Sequence, residues 1–450
     1  MKTTRESDAR ASTSPFIALQ YRDFRLIWIG QFISVSGTQM QTVAINWHVW
    51  ELTHSPLALG LIGMARLIPI IIFSLIGGVT ADTRDRRRVM LITQTTMMIM
   101  AALLGVLTTG NLISPLAIYL VSAVAAAAVS FDNPARQSLI PNLVPRKHLT
   151  NAITLNSIQF QAAAIIGPGL AGVAISQLGV GSIYWINALS FLAVIVALLM
   201  MRTPAQEMLP AKTNVSGIQS LRDGLHFVFH ERIILSTMLL DFFATFFGSA
   251  NTLLPVFATE VLHTDAVGFG VLSACESVGS VIAAAVVSLF GNIRHKGIVL
   301  IVGITVYGFA TIFFGASTLF AVSVVGLALV GAGDTVSMIM RQTIRQLVTP
   351  DQLRGRMTSV NMIFFMGGPQ LGEVEAGIAA QLLGAPLSVI AGGVATLALV
   401  ALTVYLVPTL RNYQDVPHLH HPAPQPAPEA GPSAPPAEQE SGATIVREAE

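Results

Sequence analysis

The placement of basic residues constrains this chain more than any other feature. Of its 25 lysines and arginines, all but Arg66 are read as lying in hydrophilic connections or tails. The connections that carry them alternate with connections that carry none. A chain crossing a bilayer repeatedly distributes its cations this way, because positively charged loops stay on the cytoplasmic side. A membrane-spanning helix needs about 20 mostly apolar residues. Twelve stretches qualify: 24–50, 56–80, 89–109, 115–137, 150–178, 181–201, 232–258, 267–290, 297–316, 319–341, 357–383 and 385–407. The odd-numbered connections, 51–55, 110–114, 179–180, 259–266, 317–318 and 384, hold no lysine or arginine, so both termini are expected in the cytoplasm.

Composition supports a membrane protein. Hydrophobic residues make up 53% of the chain and charged residues 11%, against about 25% charged in a soluble domain. The formal net charge of +1 gives no reason to expect a nucleic-acid partner. Cys275 is the single cysteine, which excludes an internal disulfide. The first residues are polar and lack the pattern of a cleaved leader, so the stretch from Phe24 is expected to be a retained span.

The expected organisation is a cytoplasmic tail (1–23), a six-helix half (24–201), a central cytoplasmic loop (202–231), a second six-helix half (232–408) and a disordered cytoplasmic tail (409–450) rich in Pro, Ala and Glu. In the central loop, Ile218, Leu221, Leu225, Val228 and Phe229 follow helical spacing. They suit either an amphipathic surface helix or an extension of the seventh span. His418, His420 and His421 are expected to be a solvated cluster rather than a metal site. Arg136-Gln137 with Pro145 recurs as Arg341-Gln342 with Pro350, each between the fourth and fifth spans of its half. That recurrence points to a duplicated unit related by an axis along the membrane normal.

The connection after the second span reads Gly78-Val79-Thr80-Ala81-Asp82-Thr83-Arg84-Asp85-Arg86-Arg87, and the fifth span carries Gly167-Pro168-Gly169-Leu170-Ala171-Gly172. The first resembles the loop signature of the major facilitator superfamily, with Thr83 in place of a basic residue and Asp85 in place of glycine. The second resembles an element associated with that superfamily's exporters, with Ala171 departing from its first paired glycine. The eleventh span echoes it weakly at Gly367-Gly368-Pro369-Gln370-Leu371-Gly372. The stretches Phe24–Gln31, Pro134–Pro141 and Leu353–Met357 look like the branch of siderophore exporters and related efflux proteins. The resemblance implies an all-α integral membrane protein with twelve transmembrane helices in two pseudo-symmetric halves. It also implies a cytoplasmic latch at Gly78, Asp82, Arg86 and Arg87, and a close, bendable contact between the halves at Gly167, Pro168 and Gly172. Asp85 is expected to take the left-handed turn that glycine makes in the family.

No G-x-x-x-x-G-K-[ST] loop occurs, so ATP is not the expected energy source. No cofactor, metal set or nucleophile motif is evident, and an enzyme is not expected. The partners expected are a small-molecule substrate, protons and membrane lipid, in the cell (inner or plasma) membrane. Proton coupling needs a titratable group in a cavity reached alternately from both sides. The intramembrane candidates are Arg66, Asp241, Glu276, Glu373 and Glu375. Arg66 is expected to pair with Glu373 or Glu375 across the interface of the halves, and only one of the two can face it, since they lie about 200° apart on the helix. Asp132 and Asp334 are expected to serve as helix-end partners of Arg136 and Arg341. Gln31, Ser34, Thr38 and Gln41, together with Asp241 and Thr245, form polar stripes favoured as cavity lining over bonding to neighbouring helices. The reading is an exporter of an amphipathic small molecule by proton antiport. An uptake carrier of the same fold, or a non-transporting membrane receptor or structural protein, stands as the alternative.

Overall fold

The computed structural model describes residues 15–202, 225–291, 293–350 and 353–413, without the side chains at positions 75, 79, 81, 82, 355, 356, 359 and 363. The described residues belong to one compact unit, Met1–Gln414. They form helices and no strand. The long helices are α1 (Arg22–Thr53), α2 (Pro56–Thr83), α3 (Arg86–Thr109), α4 (Pro115–Leu143), α5 (Leu149–Leu178), α6 (Val180–Met200), α7 (Arg232–Phe247), α8 (Ala266–Leu289), α9 (Lys296–Gly315), α10 (Phe320–Val348), α11 (Arg354–Leu383) and α12 (Ala385–Leu406). Ten helical segments are long and apolar enough to cross a membrane, counting α7 with its continuation to Val261. The helices α1 and α11 have the length but are too polar over it.

Local chemistry sets the boundaries. Ser55 and Ser114 each cap a helix whose first residue is proline, accepting from the backbone N–H of Ala58 and Ala117. A proline there forfeits only a donor that has no partner at a helix start. Gly179 and Gly384 turn the chain between α5 and α6 and between α11 and α12 with φ of +77° and +85°, a conformation that glycine adopts without steric cost. Asp85 has φ −60° and caps α3, accepting from Arg87 N at 2.9 Å and Arg88 N at 3.4 Å. The expected left-handed turn at Asp85 is therefore corrected: its carboxylate, not its backbone tolerance, makes the connection.

The helix starts repeat. Those of α1, α2 and α3 recur 210 residues later as α7, α8 and α9, and those of α4, α5 and α6 recur 205 residues later as α10, α11 and α12. The offset equates Gln31 with Asp241, Arg66 with Glu276, Gly60 with Gly270, Arg136 with Arg341 and Gly172 with Gly377. It also places the counterpart of Gly167-Pro168 at Gly372-Glu373, not at the Gly367-Gly368-Pro369 stretch that resembled it in sequence.

One expected span is broken. Helix α7 ends at Phe247 and continues as a 3-10 turn (Ala250–Leu253), a single α-turn (Leu254–Val256) and a π-turn (Phe257–Val261). Pro255 lies at the start of the α-turn that follows the interruption, and its missing N–H leaves the Asn251 carbonyl without an α-helical donor. Part of the central-loop helix is present, with residues 225–230 helical. Its earlier part, the last residues of the tail and the three tail histidines lie outside the described residues.

The first six and last six helices meet along α2–α11 and α5–α8. A hydrophobic core shared by both sets, including Trp47, Trp50, Leu59, Phe257, Phe269 and Ala376, lies at the end away from the chain termini. At the opposite end each set has its own core, around Phe24, Leu139 and Leu198 in the first and Leu300, Ile344 and Leu410 in the second. The bundle is thus closed at one end.

Candidate functional site

The closed end depends on absent side chains. A Cβ on Gly60 would stand 2.7 Å from the Glu373 carbonyl oxygen and 3.1 Å from Gly377 Cα. At the equivalent crossing, a Cβ on Gly172 would stand 2.5 Å from the Ala266 carbonyl oxygen and 3.0 Å from Gly270 Cα. Small residues let helix backbones approach this closely. Trp50 Nε1 donates to Thr259 Oγ1 at 2.9 Å and Ser55 Oγ to Gln381 Oε1 at 3.2 Å, both between the two helix sets. Gly167 faces a different neighbour: its Cβ position lies 2.6 Å from Gln39 Cβ on α1. The carbonyl of Pro168 lies 2.7 Å from the Cβ position of Gly270.

A buried ionic cluster occupies the second set. Arg341 Nη2 on α10 meets Asp241 Oδ1 on α7 at 3.0 Å and Asp334 Oδ1, two turns back on its own helix, at 3.3 Å. Arg345 Nη1 stands 3.6 Å from Asp241 Oδ2 and also donates to Asn361 Oδ1. Arg341 is 1%, Asp241 2% and Arg345 5% exposed. Among the described residues, Arg341 Nε and Nη1 and Asp241 Oδ2 have no partner within hydrogen-bond distance. Nearby, Glu276 on α8 accepts from Asn251 in the broken part of α7, and Tyr307 on α9 donates to the Gly248 carbonyl at 2.9 Å. That carbonyl belongs to the helix interruption, where the tyrosine and the Ala250 N–H, 2.7 Å away, both donate to it in place of the donor a continuous helix would have provided.

These arginines correct the reading of the basic residues. Arg136, Arg341 and Arg345 lie inside helices, and two of them are buried, so they are not loop cations that only set topology. The expected Asp334–Arg341 contact is present, but Asp132 is not a partner of Arg136. Asp132 accepts from Thr93 Oγ1 at 2.8 Å and Gln94 Nε2 at 3.0 Å on α3. Arg136 instead donates to Gln31 Oε1 at 3.1 Å and Asn133 Oδ1 at 2.6 Å. The first set therefore repeats the α1–α4 arginine contact with a neutral amide where the second set has a carboxylate.

Glu373 faces α2, with Oε2 standing 2.9 Å from the Cβ position of Gly63. Arg66 acts on it electrostatically, although the two make no ion-pair contact among the described residues. Glu375 points to the other side of α11, toward Phe246 and Ser249.

The α1 stripe divides among neighbours. Gln31 is held by α4, and Gln41 accepts from Asn187 Nδ2 on α6 at 2.8 Å. Ser34 is buried and Thr38 Oγ1 donates to its carbonyl at 2.9 Å. Thr245 Oγ1 donates to the Asp241 carbonyl at 2.9 Å on the face of α7 that packs on α11. Bonding between helices thus accounts for Gln31 and Gln41, and bonding within α7 for Thr245, where cavity lining had been favoured.

At the other end, Arg86 Nη1 donates to the Ser138 carbonyl at 2.8 Å and Arg87 Nη2 to the Leu199 carbonyl at 3.0 Å. Both carbonyls lie near helix C-termini, where cations are stabilised, and both belong to the first set. Gly78 has open space around it. The side chain of Asp82 lies outside the described residues.

Reading the sequence missed Arg345, Asn251 and Tyr307. Asp334, Arg341 and Arg345 recur at seven- and four-residue spacing, which places all three on one helical face, and that signal was legible.

The chain matches the sequence profile of the transmembrane secretion effector family over residues 13–435. It is 25% identical to the enterobactin exporter EntS of Citrobacter koseri over 404 residues, covering 89% of this chain and 95% of that protein. It is 24% identical to the staphyloferrin A transporter of Staphylococcus aureus over 360 residues, covering 78% and 88%. A bacterial homologue of the human lysosomal transporter Spinster, solved inward-facing and occupied, superposes with TM-score 0.69 at 13% identity over 88% of this chain and 99% of that one. A bacterial homologue of the iron transporter ferroportin, solved inward-facing, gives 0.66 at 16% identity over 87% and 99%. These two likenesses establish the fold.

Proposed function

Because the chain belongs to the transmembrane secretion effector family, a family of membrane transporters, we propose that it is a twelve-span secondary active exporter. It moves an amphipathic small molecule, drug-like or siderophore-like, outward in exchange for protons by alternating access. The two helix sets are its moving halves, and both termini lie in the cytoplasm. In that orientation the closed end faces outward, and the end where each set keeps its own core faces inward. The names of the enterobactin and staphyloferrin A relatives support a siderophore-like cargo.

The observation that carries proton exchange is a charge imbalance. Asp241 and Asp334 face Arg341 and Arg345, and Glu276 adds a third carboxyl electrostatically coupled to Asp334. Three carboxyls against two guanidiniums make a cluster that is neutral with one proton bound and negative without it. A buried charge without a counter-charge is costly, so gaining or losing that proton changes which conformation is favoured. Arg66 and Glu373 sit beside the α2–α11 crossing that must part when the outer end opens, and Asp82 with Arg86 and Arg87 forms the latch that then closes the cytoplasmic end.

Everted membrane vesicles provide the test. Substrate is expected to accumulate in vesicles with an acidic lumen and to raise lumenal pH as it enters. Glu276→Gln is expected to abolish the pH change while leaving substrate exchange intact. Accumulation by whole cells, or no substrate-dependent pH change across a panel of siderophores and drugs, would overturn the reading.

A further inference from the structure

A cavity of about 520 Å³ lies between Phe246 of α7 and the outer third of α11, lined there by Leu371, Val374, Glu375, Ile378 and Leu382. Its size falls in the range of about 300–1,000 Å³ typical of small-molecule sites. The mouth is apolar and faces away from the other helices, with Leu382 78% exposed. Glu375 is the one ionisable residue in the lining. It makes no hydrogen bond or ion pair among the described residues. Arg66, the nearest candidate cation by sequence, is on the side of Glu373, about 200° around the helix. Behind the carboxyl is a void of only about 10 Å³, bounded by Ser249, Thr311 and Ser388, with room for no more than about one water.

An unpaired carboxylate in hydrocarbon is among the costliest arrangements in a membrane protein, and such residues mark ligand paths. We propose that this groove binds an apolar organic monocation, with its charge against Glu375 and its hydrophobic body against Phe246, Leu371 and Ile378. The site is lined wholly by the second helix set. Charge complementarity selects a cation over an anion, and the single carboxyl selects one charge. Depth selects a free molecule over a phospholipid headgroup. Glu375 is eight residues before the end of α11 at Leu383, about 12 Å along the helix at about 1.5 Å per residue. A lipid ammonium rides at the interface, whereas a free apolar cation can reach the depth of the carboxyl.

The test is equilibrium binding of tritiated tetraphenylphosphonium to the full chain in detergent, with tetraphenylborate as an anion of the same shape. Saturable binding is expected, weaker by about tenfold or more in Glu375→Gln, which removes the Coulomb attraction, and in Ile378→Trp, which fills the groove from an exposed position. It is expected to be unchanged in Glu373→Gln and Glu276→Gln, and tetraphenylborate is not expected to compete. Unaltered affinity in both groove variants, equal competition by tetraphenylborate, or displacement by phosphatidylethanolamine but not by phosphatidylcholine would each overturn the assignment. Ile378→Trp decides the matter should Glu375→Gln not fold. No gradient is involved, so a failure of proton-coupled export leaves this result standing, and the reverse holds too.

Discussion

Arg341 on α10 holds Asp241 on α7 at 3.0 Å in a part of the bundle where both are almost wholly shielded. Their counterparts by the internal repeat, Arg136 and Gln31, make the same contact at 3.1 Å without a second charge. The two sets share a helix plan and differ in electrostatics at one point of it.

Removing either partner leaves the other buried with one longer ion-pair contact, Asp241 to Arg345 at 3.6 Å or Arg341 to Asp334 at 3.3 Å. Arg341→Gln or Asp241→Asn alone is expected to destabilise the fold by about 3–5 kcal/mol, read as a lower melting temperature in detergent. The double variant should lose less than the two singles together. Strict additivity would show that the pair is not coupled.

The corrected partner of Asp132 has its own signature. A double-mutant cycle on Asp334 and Arg341 is expected to give a coupling of about 0.5–3 kcal/mol. The cycle on Asp132 and Arg136 should give a smaller value, because Asp132 is satisfied by Thr93 and Gln94. Equal couplings would restore the helix-end pairing expected from the sequence.

Tyr307→Phe removes the donor that serves the Gly248 carbonyl in the α7 interruption. The carbonyl keeps the Ala250 N–H, 2.7 Å away, as a donor, so the expected cost is that of one lost hydrogen bond, about 0.5–1.5 kcal/mol. Thermal denaturation should show that loss, while Tyr405→Phe, at an exposed position, should be silent.

Gly60→Ile pushes a side chain into the Glu373 carbonyl and Gly377. The helices α2 and α11 are then expected to separate at the closed end. In a Cys275→Ser background, a short bifunctional methanethiosulfonate should cross-link a Ser55→Cys/Gln381→Cys pair, since Ser55 Oγ and the end of the longer Gln381 side chain are 3.2 Å apart. Adding Gly60→Ile should reduce the yield several-fold. An unchanged yield would mean that the glycine contact does not hold the end shut.

Some of this plan was legible from residue types alone. Apolar segment length and the Arg-Gln repeat marked out the helices, because a bilayer demands long, internally hydrogen-bonded segments wherever they occur. Ser-Pro starts and the glycines between α5 and α6 and between α11 and α12 are local rules that need no tertiary information. The misreadings share a different cause. The basic character of Arg341 and Arg345 was read as loop charge, because a one-dimensional pattern cannot tell a solvated arginine from one held by a carboxylate on another helix. The α1 stripe was correctly polar, yet whether Gln31 and Gln41 meet water or a neighbouring side chain depends on the rotation of the helix within the bundle.

The sequence by itself determined the helical class, the approximate segments and the existence of a duplication, all properties set by hydrophobic length and short-range backbone chemistry. Tertiary structure alone decided that Asp241 meets Arg341 rather than water, that Glu373 and not Glu375 turns to α2, and that the halves touch through glycines at one end. Those outcomes rest on contacts between residues about 100 to more than 300 positions apart. The energy of such contacts depends on distance and burial, neither of which the order of residues records.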